Sequence, residues 1–304
     1  MTVSPGRPEP SPMLPRATLH VLQAMRNLRA MNVLLIIAIL LGVALLAAAL
    51  LAPVLSPFEP DQQRLLARLL PPIGYERANP RYLLGTDQLG RDILSRCLYG
   101  LRLTLALALF GTVIGIIAGV TVGLVSGQMG GLVDSFLMGI VDIKLSMPFT
   151  LVALFVIALA GSSIGVLVIV LGLSNWAQFA RIVRAQVLAL RDLPYIEAAR
   201  SIGASPLRIG LKHMLPNIVS PIVVMATLNF SNLILLESSL SFLGLGVRPP
   251  TATLGAMVGQ GRDYMASAPW IVAAPGLLIV VVAFVAMLLG DLLRDQVDVR
   301  LRDR

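Results

Sequence analysis

Apolar residues in this 304-residue chain fall into long runs without charge, at 33–55, 104–127, 145–180, 214–236 and 264–290. A helix needs about 20 mostly apolar residues to cross a hydrocarbon core. The runs 33–55 and 104–127 each fit one crossing. The run 145–180 is too long for one helix, and Gly161-Ser162-Ser163-Ile164-Gly165 is the natural turn inside it. The third span then begins near Ser135 and takes in Asp142 and Lys144, and the fourth runs from about Val166. The runs 214–236 and 264–290 are the fifth and sixth. The segment 238–247 is apolar but only ten residues long, and reads as an interfacial or re-entrant piece. The pattern predicts an all-α polytopic membrane protein with six transmembrane helices.

Composition agrees: 57% of residues are hydrophobic, 13% are charged, and mean hydropathy is +0.85. A soluble domain carries about a quarter charged residues. A single cysteine, Cys97, excludes an internal disulfide, and two histidines, His20 and His213, argue against a zinc cluster. The net charge of +8 is scattered between the apolar runs rather than gathered on one surface. That speaks against nucleic acid and for the basic flanks of membrane spans. Six spans put both termini on one side. With that side cytoplasmic, it holds 14 Lys and Arg against nine on the other.

The predicted organisation is a cytoplasmic tail at 1–32, an anchor helix at 33–55, an extracytoplasmic loop at 56–102, a five-helix core at 103–291 and a cytoplasmic tail at 292–304. The first tail carries Pro5, Pro8, Pro10, Pro12 and Pro15 and reads as partly disordered. The 33–55 run is long and late for a cleaved signal, so a retained anchor is expected. Over the last fourteen residues, 291–304, Asp291, Arg294 and Asp298 at helical spacing suit a solvated helix.

The chemistry lies in the loops and the few interior charges. In 84–92, glycines permit tight turns, and Thr86 or Asp87 is placed to cap the helix of the second span. Taken alone, that stretch reads as a solvated connector. In the cytoplasmic loop 192–213, Pro194 can start a short helix, Glu197, Ala198, Ala199 and Arg200 favour it, and Gly203 ends it. Ser205-Pro206 then starts a second short helix through about His213. The result is a helix–Gly–helix elbow whose small alanines let another backbone or a groove wall approach, a docking element. Gly111, Gly115, Gly119, Gly123 and Gly127 recur every four residues and form a helix-packing stripe. Asp142, Lys144 and Glu237 are costly within spans and are candidates for a substrate pathway. Asp142 and Lys144 diverge by roughly 200° on a helix and are poor partners for each other. There is no phosphate-binding P-loop and no H-E-x-x-H or G-x-S-x-G motif. No catalytic or metal-binding set emerges. A stand-alone secondary transporter is the alternative, weakened by the lack of a repeated half.

Four stretches, in order along residues 30–304, carry a resemblance: Gly85-Thr86-Asp87 with Gly90-Arg91-Asp92; Glu197-Ala198-Ala199 with Gly203 and Lys212-His213-Met214-Leu215-Pro216-Asn217; 237–246; and 289–295. Together they resemble permease subunits of bacterial ABC importers of the dipeptide, oligopeptide or nickel type. The resemblance implies a type I importer permease fold in the cytoplasmic (inner) membrane, surrounded by lipid. It implies three kinds of protein partner: a second homologous permease, two ATPase subunits and an extracytoplasmic solute-binding protein, and it adds no nucleic acid. It also implies that Tyr195, Glu197, Ala198, Ala199, Arg200 and Gly203 couple to an ATPase. This chain would hold no cofactor, with ATP and Mg bound by the ATPase subunits. Lys144 departs from the family pattern and marks selectivity or a snorkelling side chain.

Overall fold

The structure is a computed structural model describing residues 33 and 35–302, with side chains to Arg294. The expectation of disorder in 1–32 lies outside the described residues. So does the pairing of Arg294 with Asp298. Among the described residues there is no strand, only an isolated bridge between Thr86 and Asp92.

The first apolar run gives α1 (Leu35–Leu50) and, after a turn, α2 (Ala52–Leu55). A long irregular loop leads to α3 (Ile93–Met129). Gly130 (φ +63°) and Gly131 (φ +54°) reverse the chain in the left-handed region, which glycine enters without steric cost. Next come α4 (Gly131–Ser146) and α5 (Phe149–Ala160). These two are bent by 91° where one span was expected. Pro148 is the reason: it has no N–H, and it forces Met147 into an extended conformation (φ −92°, ψ 133°). The turn expected at 161–165 is present, with Gly161 at φ +79° and Ser163 capping α6 (Ile164–Leu190).

The short helix α7 (Pro194–Ser201) follows, then α8 (Pro206–Phe242). The expected break near His213 is absent. Pro216 cannot donate to the Lys212 carbonyl, and the backbone widens into a π-helical stretch at Ile209–Met214 instead of ending. The expected re-entrant piece at 238–247 is also corrected. Its first five residues complete α8, which closes where Gly244 (φ +82°) donates to Ser241 and Leu245 donates to Leu240. The chain ends in α9 (Leu254–Gly261) and α10 (Trp270–Arg302), so the last tail continues the final helix through Arg302.

Helices α3, α6, α8 and α10 are long and apolar enough to cross a membrane, and α4 with α5 makes a fifth crossing if counted as one. The described α1 is 16 residues, about 24 Å, short of a core of about 30 Å. Among the described residues, four to five of the six expected spans meet that length and composition.

The glycine stripe explains the central pairing. A Cβ on Gly119 would lie 2.4 Å from both Phe179 Cβ and the Trp176 carbonyl, and one on Gly123 2.7 Å from the Ala180 carbonyl. One on Gly127 would lie 2.7 Å from Val187. Without side chains there, α3 and α6 meet backbone to backbone. On the outside, Leu109, Phe110, Ile117, Leu151, Phe155, Leu277, Val280 and Phe284 are exposed. Apolar surface of that extent needs lipid or a partner.

Candidate functional site

The elbow is built as its sequence suggests. Pro194 occupies the first turn of α7, where its missing N–H has no helical partner to lose. Ile196 and Ala199, three residues apart, are buried in an apolar cluster that also takes in Phe179, Val183, Val187, Ile209, Met214 and Ile218. Tyr195, Glu197, Ala198 and Arg200 face outward. One expectation changes: of the two alanines, only Ala198 offers outer surface. Ala199 anchors the helix inward, because it shares a face with Ile196. At the end of α7, Gly203 (φ +80°) donates to the Arg200 carbonyl at 2.9 Å, and Ala204 to the Ala199 carbonyl at 3.0 Å. A Cβ on Gly203 would meet nothing within 4 Å, so glycine serves the backbone angle and not close packing. The Ser205 hydroxyl accepts from Arg208 N at 3.4 Å and starts α8. Asn217 Nδ2 bridges the elbow by donating to the His213 carbonyl at 2.6 Å and to Tyr195 Oη at 3.5 Å.

Behind the elbow, Arg184 grips Asp134 with a two-pronged pair (Nε–Oδ1 2.5 Å, Nη2–Oδ2 2.6 Å), and the Ser126 hydroxyl also donates to Asp134. Sequence reading missed this junction of α3, α4 and α6. Its only local signal is an acid in the first turn of α4, where the helix dipole favours it.

The three interior charges separate. Asp142 pairs with Arg181, and both are exposed. Lys144 is half-buried, donates to the Ser174 carbonyl of α6, and lies 5.7 Å from the Phe149 ring centre. Glu237 is fully buried and exposes no surface to a pathway. Its Oε1 accepts from Ser241 at 2.7 Å and its Oε2 from Thr104 at 3.2 Å. Thr104 Oγ1 in turn accepts from Leu254 N at 3.3 Å, so this carboxylate ties α3, α8 and α9 together.

At the opposite end of α3 the 84–92 stretch is a buried knot, not a solvated connector. Asp87 Oδ1 accepts from Leu89 N at 2.8 Å and Arg91 N at 3.0 Å. Its Oδ2 lies 2.6 Å from Arg91 Nε and 3.7 Å from Arg96 Nε. Thr86 Oγ1 donates to the Ala67 carbonyl at 2.5 Å and accepts from Leu70 N at 2.9 Å. Gly90 (φ +73°) admits the Arg64 carbonyl, which a Cβ would meet at 1.9 Å. Arg91 reaches Gln260 at 3.3 Å, and Trp270 Nε1 donates to the Thr86 carbonyl at 3.3 Å. The residue that caps α3 is neither Thr86 nor Asp87 but Asp92, which accepts from Ser95 N at 2.8 Å and Ser95 Oγ at 2.6 Å. Burial pushes the Asp92 carboxyl above its ordinary pKa, against the opposing effect of the Ser95 hydrogen bonds.

An outward helical elbow on a bundle sheathed in apolar side chains suits a membrane subunit worked from outside itself. The profile of the family described as "Binding-protein-dependent transport system inner membrane component" matches residues 111–303. The chain belongs to this family. The match takes in the glycine stripe, the elbow and every helix after α3, and it makes the chain a transport subunit of the inner membrane. Among curated relatives, the di/tripeptide transport system permease protein DppC of Pseudomonas aeruginosa is 38% identical over 84% of each chain. The dipeptide transport system permease protein DppC of Escherichia coli K12 is 40% identical over 88% of this permease and 89% of that one. A putative peptide transport system permease protein of Brucella suis is 39% identical over 93% and 92%. An inward-facing structure of the MetNI methionine ABC transporter shares the fold, with a TM-score of 0.53 at 22% identity, over 66% of this chain and 96% of that chain.

Proposed function

We propose that this permease is one half of the conduit of an ATP-driven importer of dipeptides and oligopeptides. In this reading it has six spans with both termini in the cytoplasm. It pairs with a second homologous permease, two ATPase subunits that hold ATP and Mg, and an extracytoplasmic binding protein. The observation that carries the reading is α7. The helix offers Tyr195, Glu197, Ala198 and Arg200 to a partner while Ile196 and Ala199 seat it against the ends of α6 and α8. An ATPase that moved such a helix would move two spans with it, and the conduit would alternate its access.

The test uses the complete complex in proteoliposomes. Glu197→Lys and Gly203→Trp should each lower ATP-driven peptide uptake by about tenfold or more, equivalent to about 1.4 kcal/mol of lost coupling. The permease should remain in the membrane at its usual level. Undiminished uptake in both variants would refute the coupling role.

A further inference from the structure

Lys144 is a cation without a carboxylate. Among the described residues none pairs with it, and Asp142, two positions earlier, is occupied by Arg181. Its ammonium is held by two fixed groups, the Ser174 carbonyl and the Phe149 ring face.

The tether sets its depth. Ser174 lies ten residues from the start of α6 and sixteen from its end, about 15 Å and 24 Å along the axis. With a hydrocarbon layer of about 30 Å set from the start of α6, that is near mid-depth, beyond the reach of a snorkelling lysine on a four-carbon stem. The snorkelling role offered by the sequence does not fit. Lys144 also sits in the last turn of α4, beside the 91° bend, where Ser146, Met147, Pro148 and Thr150 are all exposed. The bend is thus an uncovered surface at mid-depth that carries one fixed positive charge. Ionisable groups at that depth are costly, and they persist where they meet a counter-charge or a solute.

We infer that Lys144 is a specificity-determining contact that receives the carboxylate of the transported solute as it passes the bend between α4 and α5. This rests on the importer reading above and adds to it the chemical class the pathway selects. The ammonium has three donors and spends one on Ser174, leaving two for a carboxylate.

The experiment measures ATP-driven uptake by the complete reconstituted importer. It compares one dipeptide with a free C-terminal carboxylate against the same dipeptide as its C-terminal amide. The unaltered complex should prefer the free acid by about tenfold or more. Lys144→Gln should take up both alike, through loss of the free acid, and Lys144→Arg should keep part of the preference. Should Lys144→Gln fail to assemble, Lys144→Cys is modified with an aminoethyl thiosulfonate reagent, Cys97 being buried. The restored ammonium should restore the preference. An unchanged preference in Lys144→Gln, or none regained after complete modification, overturns the inference alone. Lack of any peptide uptake by the unaltered complex overturns the importer reading and the inference with it.

Discussion

Replacing Gly119 by alanine adds one methyl group where the structure has no room for it. The new Cβ would sit 2.4 Å from the Trp176 carbonyl oxygen and 2.4 Å from Phe179 Cβ, about 1 Å inside an ordinary contact. Neither obstacle is a flexible chain end, so the helices themselves must part. A radial gap of 0.5–1 Å forfeits about a quarter to a half of the dispersion energy of each atom pair it opens. The opening would run along the stripe, through the contacts of Gly111 with Leu171, Gly123 with Val183 and Gly127 with Val187. Overpacking of this kind costs about 1–3 kcal/mol, and the backbone obstacle puts Gly119→Ala at the upper end. Gly115→Ala, whose Cβ would meet the Gly172 carbonyl at 3.2 Å, should be milder. Gly139→Ala is the control, since its Cβ meets nothing within 4 Å, and helix propensity favours alanine there by about 0.5–1 kcal/mol. The assay is thermal unfolding of the purified transporter in detergent. The expected order of midpoints is Gly139→Ala, then Gly115→Ala, then Gly119→Ala. A Gly119→Ala midpoint level with that of Gly139→Ala would refute the idea that α3 and α6 meet through bare backbone.

Substitutions at two more positions probe the buried polar groups by the same measurement. Asp87→Ala strips the carboxylate from Arg91 and Arg96, both nearly fully buried, and should cost about 3–5 kcal/mol. Asp87→Asn keeps an acceptor for Leu89 N and Arg91 N and should cost less, so equal losses would contradict the charge-pairing account. Glu237→Ala leaves the Thr104 and Ser241 hydroxyls without their acceptor and opens a cavity, a loss of about 2–4 kcal/mol. Glu237→Gln retains the shape and one acceptor, and a Gln variant no more stable than the Ala variant would argue against a hydrogen-bonded tie.

What could be read in advance was what is encoded locally. The elbow is punctuated by Pro194, Gly203 and Ser205 within a dozen residues, and its turns form as those residues demand. The glycine stripe is legible because a four-residue period, drifting by about 40° per step, runs as one slowly winding stripe from Gly111 to Gly127. The bend at Met147-Pro148 obeys equally local rules, but hydropathy reads an uncharged run as continuous and ignores a missing N–H. The other differences have distant causes. Glu237 looked like a boundary because a lone carboxylate ends an apolar run, yet Thr104, 133 residues earlier, helps satisfy it and α8 continues. Ala198 and Ala199 are equivalent in sequence, and only the neighbours of Ile196 decide which of them turns inward. The knot looked solvated because its partners Arg64, Gln260 and Trp270 are not in the motif.

That knot has a consequence for the order in which the protein is made. Its local bonds, from Asp87 to Arg91 and from Thr86 to Leu70, join residues within about twenty positions and can form as the segment emerges. The bonds that close it, Arg91 to Gln260 and Trp270 to Thr86, reach across 169 and 184 residues. At about 5–20 residues per second, those partners arrive about 10–40 s later. Until then two arginines destined for burial stand open to water beside an unfinished bundle. The stretch from α9 into α10 is therefore what seals the 84–92 loop, and a nascent subunit that stalls before α10 carries an open, charged seam that distinguishes it from a finished one.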